Sequence, residues 1–415
     1  MTLKYKDKKL FLDDLDLEKI VKEYGSPLFV YSYNSMKDNF MAYNEVLHDT
    51  DHLICFALKT NSNYRLIKEL AKLGAGADTV SGGEIFRALK AGFSPNKIVY
   101  AGVGKTKAEI DYAINSEILM FNVESTAELN VINERAMKLN KKVAISIRIN
   151  PDVDPKTHPY ISTGLAEHKF GIDIKEAEKV YKYARNLEAI KPIGVHMHLG
   201  SQLLDILPYH EAFEKIFSLY MRLKKIDITL KYLNIGGGLG ISYDPEKHKA
   251  PTPYDLVEGS IKDNIKKENL TLILEPGRSI MGNAGIMITQ VLYNKKTKNK
   301  NFVIVDAGMN DLARPSLYNA YHEIAPLKKE SAEKKIADIV GPICESTDFL
   351  AKEREIESVN EGNYLVVKTA GAYCFSMSSN YNSRLKPAEV MIKDGKAVLI
   401  RKRDIFEDLI RNEIV

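Results

Sequence analysis

The chain has 415 residues, 45% hydrophobic and 27% charged, with a net charge of +4. That length predicts two domains rather than one ordinary core. The near balance of charge, with lysines spread among acids, excludes a nucleic-acid-binding stripe.

Three cysteines, Cys55, Cys344 and Cys374, have no metal-ligand spacing, so no metal is expected and a reduced, cytoplasmic protein is. The N-terminal MTLKYKDKKLFLDDLDL has no secretion-signal core, and no stretch approaches the apolar length that crosses a membrane.

Along the chain, FLDDLDLEKIVKEYG reads as strand then helix, and GSPLFVYS is expected to enter the barrel. Short runs rich in Val, Ile and Leu then recur at 53–58, 76–80, 97–101, 118–123, 143–149, 193–198, 232–235 and 272–274. Between them, YRLIKELAKLGA, GGEIFRALKAG, STAELNVINERAMKLN and EAEKVYKYARNL carry apolar residues at helical spacing. Alternating strand and helix predicts a parallel sheet. Eight units over about 230 residues match a (β/α)8 TIM-like barrel, with an open doubly wound sheet as the competing architecture. After about residue 280 the runs NFVIVDAG, NYLVVKTAG and AEVMIKDGKAVLIRKRD read as strands joined by turns, with DGK as a hairpin signal. The expected organisation is an N-terminal arm, 1–33, packing with a C-terminal antiparallel β domain, 280–415, and a barrel over 34–279.

A barrel places its active site at the C-terminal ends of its strands, so the residues that end each run are the candidates. HLICFALKTNSN ends on Lys59, followed by Thr60, Asn61 and Ser62. The second run ends near Asp78 and Ser81, and the fifth carries Arg148 and Asn150. HMHLGSQ supplies His196, His198 and Ser201, IGGGLG a glycine loop at 235–240, and LEPGR the residues Glu275, Gly277 and Arg278. A glycine loop after strand seven lets backbone N–H groups approach a phosphate; its bland reading is a flexible turn. A carboxylate at the end of strand eight holds a pyridine nitrogen protonated and makes the ring an electron sink; its bland reading is a surface acid before Pro276. His198 stacks on such a ring, while His196 is expected to point to the opposite face and bond to backbone. A lysine at the mouth forms a Schiff base with an aldehyde; its bland reading is a lysine in water. Together these are the parts of a pyridoxal phosphate site.

FALKTNSN, GADTVSGGE, RINPDVDPKTHPYISTG, KFGI, HMHLGSQ, GGGLG, EPGR, RPSLY, GPICESTD and GAYCFSMSSNYNSR resemble the motifs of the diaminopimelate decarboxylases. These enzymes fall within the fold type III pyridoxal phosphate decarboxylases, which also act on ornithine and arginine. The resemblance runs over nearly the whole chain and implies an alanine racemase-like fold. It implies pyridoxal 5′-phosphate as cofactor, with Lys59 as the Schiff-base lysine and His198 stacked on the ring. Glu275 would face the ring nitrogen. Ser201, Gly237, Gly238, Gly277 and Arg278 would hold the phosphate, and Asp78, Pro276 and Tyr373 would complete the pocket. Arg278, Arg314, Tyr318, Glu345 and Tyr373 would bind substrate, and Cys344 would be the proton donor. In relatives Cys344 and Glu345 serve the partner subunit's site, which implies a homodimer with shared sites. The implied reaction converts meso-2,6-diaminopimelate to L-lysine and CO2, the last step of that route to lysine.

The residue chemistry fits a substrate with an amino-acid group at each end. Two arginines suit a distal carboxylate and Glu345 suits the ammonium beside it. The bland reading of Arg314 is a surface salt bridge, and of Cys344 a buried apolar cysteine. Decarboxylases of arginine, ornithine or carboxynorspermidine, an alanine racemase-like enzyme, and a catalytically dead binding homologue remain as alternatives.

Overall fold

The structure, a computed structural model, describes residues 3–154 and 169–414. It divides by contacts into two compact units, one of Asn39–Ile241 with Ala250–Ser279 and the other of residues 1–38, 242–249 and 280–415.

The first unit is a closed parallel barrel. Its strands are β1 (His52–Ala57), β2 (Gly76–Thr79), β3 (Ile98–Tyr100), β4 (Met120–Val123), β5 (Val143–Asn150), β6 (Ile190–His196), β7 (Tyr232–Asn234) and β8 (Thr271–Leu274). Each pairs with the next, β8 pairs with β1, and the ring is complete. Both faces of these strands are covered, which is why they read as near-continuous apolar runs. The helices that follow start on capping side chains placed just past the strand ends. Asn63 accepts from Arg65 N–H, Ser81 from Glu84 N–H and Ser125 from Glu128 N–H, while Thr106 and Glu109 form a capping box. Residues 155–164 of the RINPDVDPKTHPYISTG motif lie outside the described residues.

The second unit is built on a mixed sheet. Its long strand Gly285–Lys296 pairs antiparallel with Leu28–Ser32, Asn301–Val305 and Tyr364–Val367. Two pairings are parallel, Asn301–Val305 with Lys334–Val340 and Leu28–Ser32 with Ala388–Lys393. The hairpin from Ala388–Lys393 to Lys396–Arg401 turns on Asp394 and Gly395, both at positive φ (51° and 69°), as a two-residue turn of this kind requires. Contrary to expectation, Leu28–Ser32, the apolar part of GSPLFVYS, does not enter the barrel: it is a central strand of this sheet, buried at every position. A short, wholly apolar run looks the same in sequence in either unit.

The N-terminal arm contributes the hairpin Leu3–Lys6 with Lys9–Leu12 and the helix Leu17–Tyr24, capped by Asp16. Leu10, Leu12, Leu17 and Val21 pack in one cluster with Leu28, Val30, Ile286, Ile288 and Val390. Leu12 is fully buried there. Leu12→Ala should therefore lower stability by about 2–5 kcal/mol, the cost of an apolar deletion that leaves a cavity. A shift of the urea midpoint at unchanged slope checks it.

Candidate active site

Lys59 sits on the single 3₁₀ turn Leu58–Thr60 that caps β1. Its Nζ lies 2.7 Å from Asp78 Oδ2 on β2, and the Asp78 side chain is almost completely buried. Burial pushes the Asp78 carboxyl up, against the pull of Lys59 and with the help of the neighbouring Glu275 charge. Lys59 is thus tied to a buried acid rather than free in water.

Glu275, just past β8, is buried and accepts three bonds. Its Oε1 takes Asn122 Nδ2 at 3.1 Å and Asn234 Nδ2 at 2.6 Å, and its Oε2 faces His196 Nε2 at 3.2 Å. Burial works against its charge, yet His196, Lys59 and the Asn234 bond hold this carboxyl well below the usual range. Two acids in one barrel interior are therefore pushed in opposite directions, Asp78 up and Glu275 down. Glu275 is not the surface acid of the bland reading. His196 also departs from expectation, since it faces Glu275 instead of backbone on the opposite face. β6 ends at His196, and its contact with Glu275 turns this ring into the barrel.

His198 Nδ1 accepts the Gly237 N–H at 3.2 Å, which leaves the proton of the neutral ring on Nε2. Burial, with Arg148 and Lys59 nearby, pushes this imidazole well down. Arg278 is buried, and its Nη2 and Nε reach Ser201 Oγ at 2.9 and 3.3 Å. Pro276 O accepts the Ala57 N–H at 3.1 Å, tying the ends of β8 and β1. Two glycines permit these close approaches. A Cβ at Gly237 would lie 2.0 Å from the Glu275 carbonyl oxygen, and one at Gly277 2.0 Å from Thr60 Oγ1. Gly238 continues the loop at φ 109°, a backbone conformation that favours glycine.

The candidates of the sheet unit form two groups. Arg314 and Tyr318 open and close the short helix Arg314–Tyr318. Arg314 is 6% exposed, its Nη1 is 2.7 Å from His322 Nε2, and its guanidinium lies 4.5 Å from the Tyr243 ring centre. No carboxylate pairs with it among the described residues, which rules out the surface salt bridge. Cys344 and Glu345 occupy an exposed turn that is tied to the helix Arg314–Tyr318 by Ser316 Oγ, which donates to Thr347 O at 2.6 Å, so Cys344 is not a buried apolar cysteine. Cys344 N–H donates to Asn382 Oδ1 at 2.9 Å and Glu345 accepts from the Tyr381 hydroxyl. Asp348 secures the turn from below by accepting Ile343 and Met309 N–H, each at 2.6 Å. Tyr373 is half-buried at φ 57°, a strained value for a bulky residue.

Residues 33–282 match the family described as pyridoxal-dependent decarboxylase, pyridoxal binding domain. A diaminopimelate decarboxylase of Aquifex aeolicus is 56% identical over 408 residues, 98% of this chain and 96% of that one. The chain belongs to the diaminopimelate decarboxylases. Among solved structures, the Helicobacter pylori enzyme complexed with L-lysine aligns with a TM-score of 0.92 at 45% identity, covering 96% of this chain and 99% of that one. The M. jannaschii enzyme in co-complex with L-lysine aligns at 0.95 with 40% identity, covering 100% and 98%. No helix among the described residues is long and apolar enough to cross a membrane, and no group of His, Cys, Asp and Glu among them is arranged to hold a metal ion.

For this family member the chain ends of the strands were legible in sequence, but their supports were not. Asn122, Asn234 and Glu124 escaped notice; the signal was a polar residue set within or just after an apolar strand, as in MFNV and YLN. Arg148, read at the mouth, is paired with Glu124 at 2.8 Å, with both side chains under 10% exposed. Glu124 also accepts the Gly171 and Gly102 N–H groups. Glu124→Gln should destabilise the protein by about 3 kcal/mol, because it leaves the Arg148 charge buried and uncompensated. Equilibrium denaturation against wild type checks it, and the double variant Glu124→Gln/Arg148→Met should recover part of the loss.

Proposed function

We propose that the protein decarboxylates meso-2,6-diaminopimelate to L-lysine and CO2, using pyridoxal 5′-phosphate, as the last step of the diaminopimelate route to lysine. No disulfide joins its three cysteines, Cys55, Cys344 and Cys374, in keeping with work in the reducing cytoplasm. One observation carries the choice of substrate. Arg314 is a nine-tenths-buried guanidinium with no acid beside it among the described residues, and a buried charge of that kind calls for an anionic partner from outside the chain. A distal substrate carboxylate supplies it, in a form the guanidinium fork matches. L-Ornithine and L-lysine lack that carboxylate.

The donor set of the barrel suits the cofactor. Lys59 offers the amine for an aldehyde, and Glu275, held ionised, offers the partner for a protonated ring nitrogen. Asp78 Oδ1, Asn122 Oδ1 and His196 Nδ1 are buried without a partner among the described residues, so the interior retains unmet hydrogen-bonding capacity. Arg278, Ser201 and the backbone of Gly237, Gly238 and Gly277 would hold the phosphate, with Tyr373 beside it. Pro276 sets the approach of the chain there. When bound, the cofactor supplies a ring that accepts the electron pair left by the departing carboxylate.

The chain's own residues do the rest. Asp78 exchanges a proton with Lys59 at 2.7 Å, which lets the amine act as a nucleophile. Neutral His198 presents a flat, uncharged face to the ring. Arg314, with Arg278 and Tyr318, holds the distal carboxylate, and Glu345 the distal ammonium. Cys344 delivers a proton to the carbon that has lost CO2. The exposure of Cys344 and Glu345 supports a homodimer in which this turn serves the partner's site.

The deciding experiment is CO2 release over a panel of basic amino acids. Wild type should turn over meso-diaminopimelate, with L-lysine and L-ornithine very poor substrates. Lys59→Ala should lose nearly all turnover, along with the absorbance of lysine-bound cofactor. Brisk turnover of ornithine instead would replace this reading with the ornithine alternative.

Shared sites carry their own consequence. Lys59→Ala and Cys344→Ala proteins, each inactive, should regain activity when mixed, because a mixed dimer rebuilds one intact site. No recovery after demonstrated subunit exchange would count against it.

A further inference from the structure

We propose that His322 and Tyr243 are positioning residues that hold Arg314 as an uncancelled positive charge, and so set the specificity for a substrate with a distal carboxylate. The proposal rests on the function proposed above.

The imidazole of His322 is fully buried and its two nitrogens have unlike partners. Nδ1 lies 2.9 Å from the Lys368 carbonyl oxygen and Nε2 lies 2.7 Å from Arg314 Nη1. A carbonyl oxygen only accepts and a guanidinium only donates. Nδ1 must therefore carry the proton and Nε2 a lone pair, so His322 is the neutral ring in one fixed tautomer. Its backbone is fixed as well. The Lys368 N–H bonds to Glu323 O at 2.9 Å, extending the ladder of Ile324–Pro326 with Tyr364–Val367, and Arg354 Nη1 donates to His322 O at 2.8 Å.

Tyr243 supplies the second support. Its ring lies under the Arg314 guanidinium and edge-on to His322, with ring centres 5.2 Å apart. It comes from 242–249, the one stretch between β7 and β8 that groups with the sheet unit.

Both supports are electrically neutral. A carboxylate in the place of His322 would orient Arg314 equally well, but would cancel its charge and lower its affinity for an anion. A neutral acceptor and an aromatic face steer the guanidinium and leave the charge to the ligand. The contrast with Arg148, paired to Glu124 at 2.8 Å, shows the other outcome for a buried arginine.

The test is steady-state kinetics of the holoenzyme with meso-diaminopimelate, with cofactor absorbance and thermal unfolding recorded for every variant. His322→Leu should raise KM at least about tenfold while kcat stays within about threefold, the pattern of lost uniform binding. His322→Gln places an amide oxygen near the Nε2 position and should keep KM within about threefold of wild type. His322→Glu offers an oxygen too, but a charged one, and should raise KM as far as His322→Leu does. Tyr243→Phe should leave KM unchanged, and Tyr243→Leu should raise it several-fold. If His322→Leu does not fold, the Gln and Glu variants decide the same question, and the Tyr243 pair decides it if they do not fold either. A wild-type KM in His322→Leu, or a Glu variant as good as the Gln one, overturns the proposal while leaving the proposed function standing. Wild-type protein that does not turn over diaminopimelate overturns both.

Discussion

A carboxylate placed inside a parallel barrel has to be bonded on nearly every side, and the barrel interior is organised by that demand at Glu275. Three strands answer it from three directions: β4 through Asn122, β7 through Asn234 and β6 through His196. Asn122 and Asn234 sit in short apolar strands and His196 at the buried end of β6, where an unbonded polar group would be costly. The same bonds fix where the strand ends stand, because moving any one strand breaks a bond to the common acceptor. The glycine loop follows β7 directly and has to pass the Glu275 backbone, which is why no side chain fits at Gly237.

The interior then separates its charges. With Glu275 held down by donors, the second acid, Asp78, is pushed up and stays close to Lys59. One carboxyl therefore keeps its negative charge, while the other can take and return a proton beside an amine. Neutral His198 lies between positive neighbours and adds no further charge. Division of labour between like groups by environment alone is a common route to acid and base function near neutral pH.

What the sequence disclosed follows from this physics. Lys59, Glu275 and the IGGGLG loop were visible because each breaks an apolar run abruptly, and a break at a strand end is a local signal. The eight strands were visible for the same reason. The direction of the His196 ring has no local signal, because Glu275, the partner that sets it, lies far along the chain. Asn122 and Asn234 were passed over because their partner, Glu275, is far along the chain. Leu28–Ser32 and the 242–249 excursion depend on tertiary pairing, which no local pattern encodes. Tyr243 and His322 belong to that class too: neither means anything until the fold sets them against Arg314.

The two buried arginines with clear surroundings show how far residue type alone can carry an argument. Arg148 and Arg314 are equally hidden, each 6% exposed, and each touches an aromatic ring, Phe170 in one case and Tyr243 in the other. By sequence both were candidates for a site. Their partners separate them. Arg148 meets a carboxylate that also gathers the Gly102 and Gly171 N–H groups, so its charge is consumed within the chain and its work is structural. Arg314 meets a neutral imidazole whose acceptor nitrogen is dictated by a backbone carbonyl 46 residues away in sequence. A chain that folds around an unneutralised buried cation gives up stability that an acid would have returned. Retaining it is intelligible when an anion from outside completes the pair, and that is the physical reason to look for a carboxylate at the far end of the substrate.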